Sequence, residues 1–214
     1  MKILNLFLVF LLLAACSRSD ILINPGVILP EQKEVEKPSQ RAIELNNQAN
    51  ALYSKLVIEK SDGHQVDFAE VFKLFDDAVK ESPNYYQAYA NKGAILLGLK
   101  KYSEAADAFS KALQLRPHGA EYYIGQAFAR KSGGDLEKAK DSLRHAIAAF
   151  NLRLKNNPND PSRLDRALGA FLLGYKKIAL NEVNDILKKN PNDLSAKSMK
   201  EYMESGKDPW GILD

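Results

Sequence analysis

The sequence predicts an all-α protein, an array of about four helix-turn-helix units closed by a C-terminal capping helix. Three observations predict it. From Ser39 onward, apolar and small residues recur at helical spacing. Within that stretch Tyr89, Gly93, Tyr102, Ala105, Phe109 and Ala112 are answered 34 residues later by Tyr123, Ala127, Leu136, Ala139, Leu143 and Ala146. Helix breakers separate the periodic runs, Pro83, Pro117, Gly133-Gly134 and Pro191 among them.

The chain opens on MKILNLFLVFLLLAAC. Lys2 supplies a positive start, and Ile3 to Leu13 form an apolar run broken only by Asn5. A permanent membrane helix needs about 20 apolar residues, so this run has the length of a signal-peptide core instead. The chain has a single cysteine, Cys16, which excludes an intramolecular disulfide and a Cys-rich metal site. Leu13-Ala14-Ala15-Cys16 resembles the bacterial lipobox. The resemblance implies cleavage before Cys16, a diacylglycerol on its thiol and an acyl chain on the new amino group. Ser17, by the same resemblance, implies an outer-membrane lipoprotein facing the periplasm; in a Gram-positive source the motif implies the outer face of the cytoplasmic membrane.

Residues 16–38 carry Pro25, Gly26, Pro30 and Pro38 and show no helical period. They read as the lipidated Cys16 followed by a flexible tether. The apolar pieces Ile21–Ile23 and Val27–Leu29 interrupt that reading and suit contact with the body or the membrane surface.

The four units are expected at 39–84, 85–118, 119–158 and 159–192, with a capping helix and tail over 193–214. The second is the clearest. Gly93, Ala105 and Ala112 let helices approach closely, while Tyr89, Tyr102 and Phe109 fill the space between them. Pro117 ends its second helix. In the third unit Asp135 is the expected N-cap of the second helix. Its closing proline is missing, because Asn151 stands in that place, so the helix is expected to run to about Asn156. Asp160-Pro161 is expected to cap and open the fourth unit. The first unit fits if a loop of about ten residues around Glu59–Val66 is inserted, with Asp67 and Glu70 as a capping box.

These spacings resemble the tetratricopeptide repeat. The resemblance implies a right-handed superhelical array whose first helices line a concave, partner-binding groove. By that register the groove residues are Asn46, Asn50, Tyr53, Gln87, Ala90, Ala94, Leu97, Glu121, Ile124, Phe128 and Lys131, followed by Leu164, Leu168 and Phe171. Phe128, Leu168 and Phe171 fit a core role equally well. Some eukaryotic members clamp a C-terminal carboxylate with Lys, Asn and Arg. Asn50 and Asn91 match two of those positions, but Glu121 and Gly125 stand where the cations belong, so the clamp is not assembled.

No catalytic signature is present. His64, His118 and His145 lack a metal-ligand partner at helical spacing, and no G-x-S-x-G or phosphate loop occurs. Neither a metal nor a dissociable cofactor is expected, and the enzyme class is disfavoured. Net charge is +3 from 30 basic and 27 acidic residues, mixed along the chain, which argues against nucleic acid as a partner. The expected function is a membrane-anchored adaptor that binds an envelope protein or peptide segment during assembly of a pilus, secretion or cell-wall complex. A second reading is a periplasmic immunity lipoprotein that neutralises a competitor's toxin.

Overall fold

The structure is a computed structural model that describes residues 26–62, 64–158 and 160–213. Cys16, Ser17 and the signal-peptide segment lie outside the described residues. Nine α-helices are present among those described: α1 Gln40–Ser61, α2 Ala69–Glu81, α3 Tyr86–Gly98, α4 Tyr102–Leu115, α5 Ala120–Ser132, α6 Leu136–Asn156, α7 Arg163–Leu172, α8 Lys176–Lys189 and α9 Leu194–Glu204. A 3-10 turn, Pro209–Leu213, follows. The chain divides into two compact units, one over Val27–Ala149 and one that includes Phe150–Asp214.

Two kinds of turn build the array. Within the later pairs the helices are joined by residues 99–101, 133–135 and 173–175, too short for anything but a reversal. Each carries the same carbonyl-capping bond: Lys101 N–H donates to Leu96, Asp135 to Arg130 and Tyr175 to Ala170. The residue before each donor sits at positive φ. It is Gly134 (91°) and Gly174 (89°) in two of them, but Lys100 (62°) in the first. A side chain in this region costs roughly 1–2 kcal/mol, partly offset by the chain entropy that glycine loses on folding. Lys100→Gly is therefore expected to stabilise the fold by about 1 kcal/mol, read as a higher urea midpoint; a lower midpoint contradicts it.

Between pairs the chain makes a proline turn. In Ser82-Pro83-Asn84-Tyr85 the N–H of Tyr85 returns to the Ser82 carbonyl at 3.0 Å. Gly119 does the same to Arg116, and Asp193 to Asn190, with Pro117 and Pro191 at the equivalent place. Proline suits this second position because its φ is already fixed. A fourth such turn closes the third pair, where Asp160 N–H donates to Asn157 at 3.1 Å across Pro158. The closing proline is thus displaced rather than missing. Helix α6 has 21 residues against 14 in α4, and the extra seven are two helical turns. The helix ends at Asn156, where its sequence says it should.

In the first unit, α1 and α2 pack around Ala42, Leu45, Ala49, Val71, Phe75 and Ala78, with Tyr85, Ala88 and Ile95 joining from the next pair. Phe109 on α4 is buried between two glycines. A Cβ on Gly93 of α3 would lie 3.2 Å from its ring, and one on Gly125 of α5 only 2.4 Å away. A polar seam also crosses three helices. Gln126 donates to Ser110 (2.8 Å), Ser142 donates to Gln126 (2.9 Å), and Arg130 donates to Ser142 (2.7 Å). Gln126 and Ser142 are buried, so this chain satisfies groups that would be costly alone.

In the second unit, Ala167, Ala170, Phe171, Ala179, Val183, Ala196 and Met203 form the core. Glu182 on α8 is buried and takes both Arg163 (3.3 Å) and Arg166 (2.6 Å) from α7. Arg166 also donates to Asn151 at 2.9 Å. Helix α9 is capped by Asp193, whose carboxylate accepts from Ala196 N–H. The 3-10 turn folds back on α7, Tyr202 donates to the Asp208 carbonyl at 2.7 Å, and Trp210 is half-buried.

Four local expectations need correction. The ten-residue loop at 59–66 does not exist as such, because α1 continues to Ser61 and only 62–68 connect it to α2. No breaker precedes Asp62, and Ser61 holds the last turn through the Ile58 carbonyl. Asp67 accepts from Ala69 N–H two residues on, so it forms a turn rather than a reciprocal capping box. Asp160 likewise accepts from Ser162 N–H, and α7 begins at Arg163 instead of Pro161.

The fourth correction concerns the tether, because residues 27–38 lie against the body. His118 Nε2 is 2.9 Å from the Pro30 carbonyl. Asn84 donates to the Glu36 carbonyl at 3.3 Å, and Ser39 N–H donates to Ser82 at 2.9 Å. A carbonyl only accepts, so His118 Nε2 carries a proton. Proline content had excluded a helix here but not an extended docking strap.

Candidate functional site

The candidate site is the face of α1, α3 and α5 named by the repeat register. Asn46 is buried, and its carbonyl oxygen accepts from Asn91 across to α3 at 2.9 Å. Its own amide donates to Asn47 at 3.3 Å. Asn46 is therefore a support beneath the face and not a ligand contact. Phe128 is also buried, at 7 % exposure, and Ala90 at 5 %. The register puts Ala90 in the groove and leaves Phe128 open between groove and core; both belong to the packed interior. Register fixes which way a side chain leaves its helix, whereas burial depends on what packs next to it.

Several groove residues do reach the surface. Asn50 and Gln87 are half-buried, Ala94 is exposed, and Leu97 and Ile124 are half-buried. Tyr53 is half-buried, its ring tilted against Phe68 at 5.7 Å and its hydroxyl near Gly98. Gln87 Oε1 is sealed from solvent without a hydrogen-bond partner. Glu121 is exposed and Lys131 half-buried. In the second unit Leu164 and Leu168 are half-buried, Leu164 packs on the core, and Phe171 is part of that core.

Chemically the accessible face of α1 and α3 is neutral. It offers side-chain amides from Asn50 and Asn91, beside the small Ala94 and Gly98, whereas the Gln87 oxygen is sealed beneath it. Such a surface suits a peptide backbone, which needs donors and acceptors at close approach and no countercharge. Glu121 repels a ligand carboxylate rather than capturing it.

His145 stacks on Tyr123 at 5.2 Å and lies 3.7 Å from Asp141. Burial, and then the Asp141 charge, push the Tyr123 hydroxyl above the usual tyrosine range. No group of three or more His, Cys, Asp or Glu placed to hold a metal ion occurs among the described residues. No described helix is long and apolar enough to cross a membrane. A cleft of 340 Å³ opens where Asp160, Arg163, Lys189 and Asp193 meet, with both charge signs on its rim.

Residues 86–118, the α3–α4 pair and the turn after it, match the tetratricopeptide repeat family model. The chain is 31 % identical over 109 residues to a protein STIP1 homolog of Dictyostelium discoideum, covering 51 % of this chain and 18 % of that protein. It is 28 % identical over 131 residues to heat shock protein STI1 of Saccharomyces cerevisiae, covering 58 % and 22 %. The chain thus spans about a fifth of the length of these curated relatives. Among solved structures it is similar to YrrB, described as a tetratricopeptide-repeat protein with an unusual peptide-binding site, at 21 % identity and a TM-score of 0.46 over 81 % of this chain and 83 % of that one. It is also similar to a MamA double mutant, at 17 % identity and a TM-score of 0.47 over 78 % and 80 %.

Proposed function

We propose that this chain is a lipid-anchored adaptor of the bacterial cell envelope that binds a segment of a partner protein and performs no chemistry itself. The observation that carries the binding part is the neutral face of α1 and α3, with Asn50, Asn91 and Ala94 accessible and Asn91 oriented by the buried Asn46. The repeat match over residues 86–118 supports it, because such helix pairs are a scaffold for protein contacts. The anchoring part rests on Leu13-Ala14-Ala15-Cys16, and the outer-membrane destination on Ser17. Two or more acyl chains on Cys16 would hold the protein far better than one. The envelope processes this suits are assembly of a pilus, a secretion channel or a cell-wall complex.

Each part has its own test. Cys16→Ala is expected to leave an unlipidated chain that no longer fractionates with the outer membrane; unchanged fractionation removes the anchor. Affinity purification of the lipidated protein from its native envelope, followed by mass spectrometry, is expected to return an envelope protein. Asn91→Ala should weaken that recovery in a chain with an unchanged circular dichroism spectrum. Recovery equal to the wild type shifts binding away from the α1–α3 face.

A further inference from the structure

The strap over residues 27–38 has a burial pattern of its own. From Leu29 onward, Leu29, Gln32, Val35 and Pro38 are half-buried and every residue between them is exposed, while Val27 at the start of the strap is half-buried outside this spacing. A helix would repeat every 3.6 residues and a strand every two. A strict period of three belongs to the polyproline II helix, which turns once per three residues and rises about 3.1 Å per residue.

The body matches that period. The two side chains that hold the strap's carbonyls, Asn84 and His118, occupy the same place in successive proline turns, 34 residues apart. The carbonyls they hold belong to Glu36 and Pro30, six residues or two polyproline turns apart, and so lie on one side of the strap. Six residues in this form span about 19 Å. One repeat is two packed helices, at roughly 8–10 Å per packing, so successive turns are spaced by about the same length. The edge of the array therefore presents one N–H donor for every two turns of a polyproline ligand.

The resident strap fits this edge imperfectly. At the third-residue position between Leu29 and Val35 stands Gln32, whose Oε1 is buried with no hydrogen-bond partner. An unsatisfied acceptor in a docked position weakens the contact, and an apolar residue there would not carry that cost.

We infer that the edge formed by the α2–α3 and α4–α5 turns is a docking site for a polyproline II segment of a partner protein, occupied in this chain by residues 29–38 as a displaceable stand-in. The partner segment carries proline or an aliphatic residue at every third position, including the position that Gln32 fills here. This site is separate from the α1–α3 face and does not depend on the acyl anchor, so the two readings fail independently.

The test uses the full chain and a labelled synthetic peptide of residues 26–38, GVILPEQKEVEKP, with a second peptide that has leucine at the Gln32 position. Leu29→Ser/Val35→Ser in the protein vacates the edge without touching the body. The peptide is expected to bind this variant at least tenfold more tightly than the intact chain, and the leucine peptide several-fold more tightly again. Adding Asn84→Ala and His118→Ala should abolish binding while circular dichroism stays unchanged. The inference is overturned if neither peptide binds the folded double-serine variant. It is also overturned if a peptide with its three-residue pattern scrambled binds equally well, or if binding survives Asn84→Ala/His118→Ala.

Discussion

Gly125→Ala is expected to destabilise the protein by about 2 kcal/mol, although alanine is the better helix former. On propensity alone the substitution in α5 gains close to 1 kcal/mol. Packing reverses the sign. The new Cβ would lie 2.4 Å from the tip of the Phe109 ring, where real contacts do not occur. The ring has no room to retreat, because Gly93 on α3 already brackets its other end and Phe109 is only 5 % exposed. Forcing a methyl into such a site costs typically 1–3 kcal/mol, and more where the neighbours are fixed. The cause is isolated by repeating the change in a Phe109→Leu background. There Gly125→Ala is expected to be neutral or stabilising. A loss of the same size in both backgrounds, measured by urea unfolding, would assign the effect to the backbone of α5 instead.

Glu182→Ala is expected to cost about 3 kcal/mol. Glu182 is 9 % exposed, and the Arg166 and Arg163 side chains that meet it are 14 % and 16 % exposed. Removing the carboxylate leaves two guanidinium groups facing each other in a poorly solvated site, which is far worse than removing the whole cluster. Glu182→Leu combined with Arg166→Met should therefore recover a large part of the loss. A loss below about 1 kcal/mol in the single variant would mean that α7 and α8 separate enough to rehydrate the arginines.

Much of this architecture was readable because repeat packing constrains small residues at fixed places. Gly93, Ala105 and Ala112 had to be small whatever surrounds them, so their spacing announces the helix pairs. Asp135 was legible as a cap for a similar local reason, and its carboxylate accepts from Lys138 N–H. Pro158 was not, because a fixed interval pointed to Asn151, and two whole turns added to α6 preserve helical phase while shifting the sequence count. Asn46 and Phe128 show the opposite limit. Their direction follows from the repeat, but whether solvent reaches them depends on neighbours far along the chain. The strap was hardest to see. Its prolines advertise the loss of helix, and its three-residue pattern is interrupted by the one polar member, Gln32.

The clamped strap also sets a leash. Between Cys16 and Val27 stand only ten residues, and even a fully extended chain spans about 3.3–3.6 Å per residue. With the strap seated, its first docked residue can stand no more than about 40 Å from an acylated Cys16. With residues 27–38 released, the same limit applies at Ser39 and roughly doubles. Under the proposed anchor, occupation of the edge by a partner lets the body stand farther from the bilayer. A binding event becomes a change in the height that the protein can patrol.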